Sequence, residues 1–257
     1  MTVFKGALLD LGGVVYIGDK PLPGAVKAIE RLRNAGISIR FLTNTTRQSH
    51  GKLLEKLRAM GLSVADEELF TPALAARRVI EGQGLTPHLL IHPELEEDFA
   101  GLPSGGREAL VVGDCGEGFT YPALNAAFRA LERGGEFLAL ANNRSFRDAD
   151  GELSLDAGPF VAALSFASQR EPTVLGKPAA PFFLSALGSM GCKPEEAVMI
   201  GDDVESDVGG AMAARLSGVL VRTGKYSAGA EDEIDPPPSA VADDLAAAVD
   251  WVLEKQG

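Results

Sequence analysis

Three acidic side chains lie close together after a short apolar run in the last third of the sequence. Residues 197–200 are apolar, which is typical of a buried strand, and Asp202, Asp203 and Asp207 follow them within a few positions. Carboxylates this close repel one another unless a cation lies among them, and Mg²⁺ favours a few carboxylates together with phosphate oxygens. Because residues 204–215 are predicted to form a helix, capping of its positive N-terminus is the alternative explanation. The segment is a candidate magnesium site.

Three further apolar runs each end in a residue that could take part in chemistry. Asp10 follows the predicted strand 7–9, and Thr43 follows the predicted strand 37–42. Lys177 comes two residues after the predicted strand 173–175, with Gly176 between them. In an open α/β sheet, ligands bind at the carboxyl ends of the strands. Considered alone, the threonine at a strand end could simply form a turn, and the lysine in a loop could simply be solvated. Together, these residues supply a nucleophile, a hydroxyl suited to phosphate oxygens and a cation beside the candidate metal site.

Alternating strand and helix patterns place these residues in an α/β fold. Helices predicted near residues 24–34 and 48–60 alternate with the first two strands, which indicates a parallel sheet covered by helices. The pattern then starts afresh, and this insert is long enough to bury a core of its own. Its predicted elements are helix 73–82, strand 88–92, strand 109–113, helix 121–133, strand 136–141 and helix 158–168.

The insert divides the sequence into two predicted domains. We predict a core domain made of residues 1–72 and 173–257, and a second domain of residues 73–172 that caps it. In the core, strand 173–175 and two later strands, 197–200 and 218–222, continue the sheet. A helix at 243–255 ends the chain.

Bulk properties narrow the classes of function. The 257 residues carry a net charge of −12, which argues against nucleic acid as a partner because phosphate backbones need clustered lysine and arginine. Cys115 and Cys192 are too few for a disulfide framework or a cysteine metal site. His88 and His92 would share a strand face, but no third zinc ligand is evident. No apolar run reaches the length of a membrane span and no signal peptide is evident, so we expect a cytoplasmic protein without a membrane partner.

Taken in order, Asp10, Thr43, Lys177 and Asp202 with Asp207 resemble the four motifs of the haloacid dehalogenase (HAD) superfamily of phosphotransferases. The wording LTNTT, GKP and GDDVESD resembles the branch with a large C2-type cap, subclass IIA, and the resemblance runs nearly from end to end. It implies a Rossmann-like parallel-sheet core with an inserted α/β C2 cap domain. It also implies a mobile flap in the segment VVYIGDKPLPG, a small phosphorylated substrate or phosphoamino acid, and a homodimer formed through the cap.

The resemblance further implies a role for each motif residue. Asp10 would attack phosphorus and form an aspartyl-phosphate, while Lys177 neutralises charge and Thr43 with Asn44 donates hydrogen bonds to the phosphoryl oxygens. Mg²⁺ would be held by the residues Asp10, Gly12 (through its carbonyl) and Asp202, with Asp207 acting directly or through water. Substrate choice would depend on the cap loop residues Asn142, Asn143 and Arg144, with Asp156 a weaker candidate; a solvated loop arginine is the alternative for Arg144.

One position departs from the family pattern. Most phosphatases of this superfamily carry a second aspartate two residues after the nucleophile, as general acid and base, and here that residue is Gly12. General acid–base catalysis is worth about 10²–10⁴ in rate, so its loss should be felt most by strongly basic leaving groups. We therefore expect a bias toward activated donors such as pyrophosphate, acyl or aryl phosphates and the P–N bonds of phospholysine or phosphohistidine. The alternative is a catalytically weak protein that binds or senses a phosphorylated ligand.

Overall fold

A computed structural model describes residues 3–147 and 152–256 of the chain. The chain divides into two compact units, which are described separately. The first unit comprises Met1–Thr43, Leu54–Phe70 and Lys177–Gly257, and the second comprises Asn44–Leu53 and Thr71–Gly176. The sequence predicts a core domain of residues 1–72 and 173–257 and a second domain of residues 73–172. These domain boundaries stay a prediction.

The first unit is built on a six-stranded parallel sheet. The strand order is β14 (Ala240–Ala242), β13 (Ser217–Val221), β12 (Ala197–Gly201), β1 (Gly6–Asp10), β4 (Ser38–Leu42) and β5 (Leu69–Phe70). The two halves of the sheet therefore meet at β1. A small hairpin, β2 and β3, follows β1 along the chain. The elements, numbered along the whole chain, are β1 (Gly6–Asp10), β2 (Tyr16–Ile17), β3 (Lys20–Pro21), α1 (Ala25–Asn34), β4 (Ser38–Leu42), α2 (His50–Ala59, divided between the units), β5 (Leu69–Phe70), α6 (Ala180–Met190), β12 (Ala197–Gly201), α7 (Gly210–Ala213), β13 (Ser217–Val221), β14 (Ala240–Ala242) and α8 (Leu245–Glu254).

The central strand β1 sets the position of the predicted site. All five of its residues are buried, as expected for a parallel strand covered on both faces. Its neighbours run in a register that pairs Asp10 with Leu42 of β4 and Leu9 with Ile200 of β12. The residues that leave β4 and β12 therefore emerge beside Asp10, at one edge of the sheet.

The second unit contains a separate four-stranded parallel sheet of order β11 (Thr173–Val174), β8 (Glu136–Ala139), β7 (Glu108–Val112) and β6 (Thr86–Leu90). It also contains an antiparallel hairpin of β9 (Ser145–Arg147) with β10 (Leu153–Leu155). Side chains alternate along β7: Val111 packs in a cluster with Ile80 of α3, and Val112 packs in another with Val161 of α5. The elements are α3 (Pro72–Gln83), β6 (Thr86–Leu90), β7 (Glu108–Val112), α4 (Tyr121–Glu132), β8 (Glu136–Ala139), β9 (Ser145–Arg147), β10 (Leu153–Leu155), α5 (Ala157–Ser168) and β11 (Thr173–Val174).

The segment Asn44–Leu53 belongs to the second unit because its side chains and backbone are bonded there. Arg47 forms an ion pair with the buried Asp114 and lies over the ring of Phe146, 4.4 Å from its centroid. The amide of Asp114 donates to the hydroxyl of Thr46 at 3.2 Å, and the amide of His50 donates to the Asp98 carboxylate. This segment follows directly from Thr43 of the first unit.

Two predicted elements differ in the structure. The strand expected at 173–175 in the core sheet is β11 of the second unit, because Thr173 and Val174 pair with Leu138 and Ala139 of β8. The helix expected at 204–215 begins instead with a wide π-helical turn, Val204–Gly209, before the short α7. The wider turn brings the Asp207 side chain back against Gly201, at the end of β12.

The histidines His88 and His92 do not share a strand. The strand β6 ends at Leu90, and His92 caps the following 3₁₀ turn by accepting a hydrogen bond from the amide of Glu94 through Nδ1.

Among the described residues, no helix has the length and apolar character needed to cross a membrane.

Helix capping offers a test of the first unit. The carboxylate of Asp244 accepts a hydrogen bond of 2.9 Å from the amide of Ala247 at the start of α8. We expect Asp244→Ala to lower the free energy of unfolding by about 1 kcal/mol in a urea titration. The matched variant Asp243→Ala removes an exposed ion pair with Arg222 and should cost at most about 0.5 kcal/mol. Equal effects of the two variants would contradict the capping role.

Candidate active site

Three carboxylates and one ammonium group meet at the carboxyl edge of the core sheet. Among the described residues, Asp10, Asp202 and Asp207 form the one group of acidic, histidine or cysteine side chains that could hold a metal ion, with ligand atoms within 4.8 Å of one another. All three are buried, and so is Lys177. Three negative groups thus face one positive group where solvent screening is weak.

Lys177 links the two ends of the carboxylate cluster. Its Nζ atom forms an ion pair with Oδ1 of Asp10 and lies 2.6 Å from Oδ1 of Asp207. Burial by itself would lower the pKa of Lys177, but Asp10 and Asp207 more than reverse this effect and raise it. The two acids therefore favour the charged form of Lys177, which follows Gly176 at the point where the chain returns from the second unit.

Glycines make the room in which two of the carboxylates lie. A Cβ atom on Gly13 or Gly224 would overlap the carboxylate of Asp202, and one on Gly201 would overlap the side chain of Asp207. Gly13 and Gly224 also have positive φ angles of 85° and 59°, which favour glycine. Any larger residue at these positions would displace a carboxylate from the cluster.

The loop after β13 orients the cluster from another direction. The backbone amide of Lys225 donates to Oδ2 of Asp202 at 2.7 Å, and Nζ of Lys225 pairs with Asp203 at 3.1 Å. The amide of Asp203 in turn donates to Asp207 at 3.2 Å. A continuous set of hydrogen bonds therefore runs from this loop to two of the three carboxylates.

Burial disfavours the ionised form of two of the carboxylates. It raises the pKa of Asp10 to about 7; Lys177 opposes this shift, while Asp207 and Asp202 add to it. Burial, followed by the charge of Asp207, raises the pKa of Asp202 to about 6. A further cation would remove the cost of ionising both groups at neutral pH.

The cluster fits Mg²⁺ by the chemistry of its donors. Hard oxygen ligands and an excess of negative charge match what Mg²⁺ requires of a protein, and Gly13 and Gly224 make room for one of the carboxylates, Asp202. Asp10, Asp202 and Asp207 would hold the ion. The participation of the Gly12 carbonyl stays a prediction.

Two other predicted residues of the first unit lie at the same edge of the sheet. Thr43 is buried and directly follows Leu42, the residue that pairs with Asp10 in the sheet. Gly12 is exposed, has a φ angle available to any residue, and a Cβ atom built on it would meet no heavy atom within 4 Å. Steric crowding at the Cβ position therefore does not explain why position 12 lacks a side chain.

The remaining predicted residues belong to the second unit. The amide oxygen of Asn44 lies close against the backbone of Gly176. Asn142 and Arg144 are exposed and Asn143 is half-buried, and the carbonyl of Asn143 accepts a hydrogen bond of 3.0 Å from the amide of Gly158 at the start of α5. Their assignment to substrate binding stays a prediction.

Sequence reasoning missed the residues that support the cluster. Lys225 acts on Asp202 through its backbone amide, which no residue pattern encodes. The glycines could be recognised in part, because Gly13 and Gly224 both lie in short loops that follow apolar runs. That pattern does not disclose that the two loops meet around one carboxylate.

Known proteins with similar sequences and structures cover almost the whole chain. Family models described as haloacid dehalogenase-like hydrolase and HAD-hydrolase-like match residues 7–105 and 174–248. The chain is 44% identical to human haloacid dehalogenase-like hydrolase domain-containing protein 2, over 97% of this chain and 96% of the relative. It is 40% identical to phospholysine phosphohistidine inorganic pyrophosphate phosphatase of Danio rerio, over 97% and 94%.

Solved structures of phosphatases share the fold. The p-nitrophenyl phosphatase of Archaeoglobus fulgidus superposes with a TM-score of 0.87 at 27% identity, over 97% of this chain and 99% of that one. Glycerol phosphate phosphatase of Mycobacterium tuberculosis, in complex with magnesium, superposes with a TM-score of 0.81 at 27% identity, over 95% and 76%. The predicted α/β fold with a Rossmann-like parallel sheet is confirmed. The chain therefore belongs to the haloacid dehalogenase-like hydrolase family, as a hydrolase of the phosphatase type.

Proposed function

We propose that this phosphatase depends on Mg²⁺, works through an aspartyl-phosphate on Asp10, and favours activated phosphoryl donors. The observation that carries the proposal is the buried cluster in which Lys177 contacts both Asp10 and Asp207. A protein that only binds phosphate would have little chemical need for a carboxylate nucleophile held against an ammonium group inside an acidic cluster.

Asp10 performs the first chemical step. A carboxylate oxygen of Asp10 attacks phosphorus, the bond from phosphorus to the leaving group breaks, and the electron pair departs with the leaving group. Water then attacks the phosphorus of the aspartyl-phosphate, which releases inorganic phosphate and restores the carboxylate. Burial disfavours the ionised nucleophile by raising the pKa of Asp10, and the ammonium of Lys177 opposes that effect.

The other groups position and neutralise the transferred phosphoryl group. In the proposed mechanism Lys177, which pairs with Asp10, balances charge on that carboxylate and on the phosphoryl oxygens. The Thr43 hydroxyl donates a hydrogen bond to those oxygens, a role that the position of Thr43 directly after Leu42, the sheet partner of Asp10, supports. Mg²⁺, when bound by Asp10, Asp202 and Asp207, supplies charge stabilisation for the phosphoryl group. Such positioning and charge stabilisation account for most of the catalysis of phosphoryl transfer.

The glycine at position 12 decides which leaving groups are favoured. No carboxylate stands two residues after the proposed nucleophile, although a Cβ atom on Gly12 would meet no heavy atom within 4 Å. A donor whose leaving group is weakly basic, or brings its own proton, does not need that acid. Pyrophosphate, acyl and aryl phosphates and protonated P–N compounds meet this condition.

Two of the relatives support a preference for activated donors. One is named for phospholysine, phosphohistidine and pyrophosphate, and a solved neighbour is a phosphatase of p-nitrophenyl phosphate, an aryl ester. The magnesium complex of the glycerol phosphate phosphatase supports Mg²⁺ as the ion. We further propose that Asn44, Asn142, Asn143 and Arg144 contribute to substrate choice.

Replacing the nucleophile should abolish turnover. We expect Asp10→Asn to lower phosphate release from p-nitrophenyl phosphate and pyrophosphate by more than about 10³-fold, because an amide oxygen cannot form the acyl-phosphate. The matched control Asp250→Asn changes an exposed acid of α8 and should keep full activity. Phosphate release that does not depend on Asp10 would contradict the proposed mechanism, and no release from any donor would favour a phospho-ligand binding protein.

Restoring the missing acid should broaden the substrate range. A Cβ atom at position 12 would meet no neighbour, and we expect Gly12→Asp to raise the ratio of glycerol phosphate to pyrophosphate turnover by about 10- to 100-fold, within the usual worth of general acid catalysis. Gly12→Ala and Gly12→Asn add a side chain without an acid and should leave the ratio unchanged. An unchanged ratio in Gly12→Asp, with the protein folded, would refute the leaving-group argument.

Metal binding should depend on pH with a defined sign. Without metal, the folded protein keeps the proton of Asp10 from the ordinary pKa of 3.8 up to about 7, whereas the unfolded chain has released it. The free energy of unfolding of the metal-free protein therefore falls as pH rises through this window. Because Mg²⁺ competes with these protons, the rise in Tm that MgCl₂ causes should be larger at about pH 8 than at about pH 5.

The control for the metal experiment is Asp202→Asn, which removes one predicted ligand and should shrink the Mg²⁺-dependent rise in Tm at the higher pH. A rise of the same size at both pH values in the unchanged protein would argue against binding by these carboxylates.

A further inference from the structure

The hairpin formed by β2 and β3 is attached by hydrogen bonds to the turn that directly follows the proposed nucleophile, Asp10. The amide of Gly13 donates to the carbonyl of Tyr16 at 2.8 Å, and the amide of Tyr16 donates to the carbonyl of Leu11 at 3.1 Å. The Gly13 backbone in turn lies against the Asp202 carboxylate. A displacement of Tyr16 would therefore reach residues 11–13 and, through Gly13, one of the predicted metal ligands.

The hairpin has few means of holding this position by itself. Its strands contain two residues each, and every residue from Ile17 to Pro21 is exposed. An isolated two-stranded hairpin is marginally stable at best, so contacts with a larger element must fix it. Tyr16 is the member of the two strands that is buried.

Lys56 of α2 supplies such contacts from one atom. Its Nζ lies 4.7 Å from the centroid of the Tyr16 ring and 3.0 Å from Oδ1 of Asp19, in the turn of the hairpin. The Lys56 side chain is only 20% exposed, whereas that of Asp19 is 93% exposed. The ion pair is therefore weak, and the cation–π contact with the buried ring is the stronger of the two.

We propose that Lys56 is a positioning residue, which holds the hairpin through Tyr16 and thereby keeps the turn beside Asp10 in its working conformation. The role rests on the proposed function, because it matters only if Asp10 reacts. Lys56 touches neither Asp10 nor the metal ligands in the contacts described, and it acts through the Tyr16 ring and the Gly13 amide. The groups that face its ammonium are Tyr16 and Asp19 of the hairpin.

Amide hydrogen exchange of residues 11–22 tests the contact without reference to activity. We expect Lys56→Met to accelerate exchange of the Gly13 and Leu22 amides, which bond within this segment, by about 3- to 30-fold, the worth of a partly desolvated cation–π contact. Tyr16→Leu should have a similar effect, and Asp19→Asn a smaller one. The matched control is Lys52→Met, one turn earlier on α2, where the lysine pairs with Glu94 and should leave this segment unchanged.

Steady-state kinetics tests the consequence for the reaction. Lys56→Met should lower kcat for p-nitrophenyl phosphate while KM changes less, and Lys56→Arg, which keeps a cation over the ring, should restore most of kcat. Unchanged exchange in Lys56→Met would overturn the proposal, and so would faster exchange with unchanged kcat. If the unaltered protein released no phosphate in an Asp10-dependent manner, the proposed function would fail, and the exchange result would still show whether the contact exists.

Discussion

The structure of the first unit depends on burying three carboxylates with one ammonium group at the edge of a sheet. Such a cluster is expensive to form in a protein interior, and every neighbouring feature reduces its cost. The parallel register brings the strand ends together, Lys177 contacts two of the acids, and the amides of Asp203 and Lys225 donate to two of them. The residual excess of negative charge is what makes the site suited to a divalent cation.

Backbone shape matters as much as charge in this site. The carboxylate of Asp202 lies between two glycines from loops that are far apart in the sequence, and Asp207 is directed at a third. The positions of Asp202 and Asp207 are therefore available only because the three neighbouring residues are glycines without side chains. At Gly12, a Cβ atom would meet no neighbour, so the missing side chain matters for the proposed chemistry and not for the packing: the proposed nucleophile Asp10 is present without the acid that usually follows it in this family.

The sequence was sufficient to predict the fold class and the residues of the carboxylate cluster, because strand ends in a parallel sheet share one edge. Asp10, Asp202 and Asp207 each lie at or just beyond an apolar run that could be recognised as a strand. The prediction that the strand before Lys177 belongs to the core sheet is wrong, because a two-residue strand carries no pattern that distinguishes one parallel neighbour from another. The wide turn at Val204–Gly209 and the contact of Lys56 with Tyr16 depend on tertiary packing, which residue spacing does not encode.

The membership of Asn44–Leu53 in the second unit has a consequence for chimeric proteins. Arg47, Thr46 and His50 are bonded to Asp114 and Asp98, although they precede the insert by more than twenty residues. A domain exchange that transferred only the contiguous insert would separate each of these pairs and leave Asp114 buried without its arginine. Two segments, and not one, form the transferable module, and the first of them begins at the residue after Thr43.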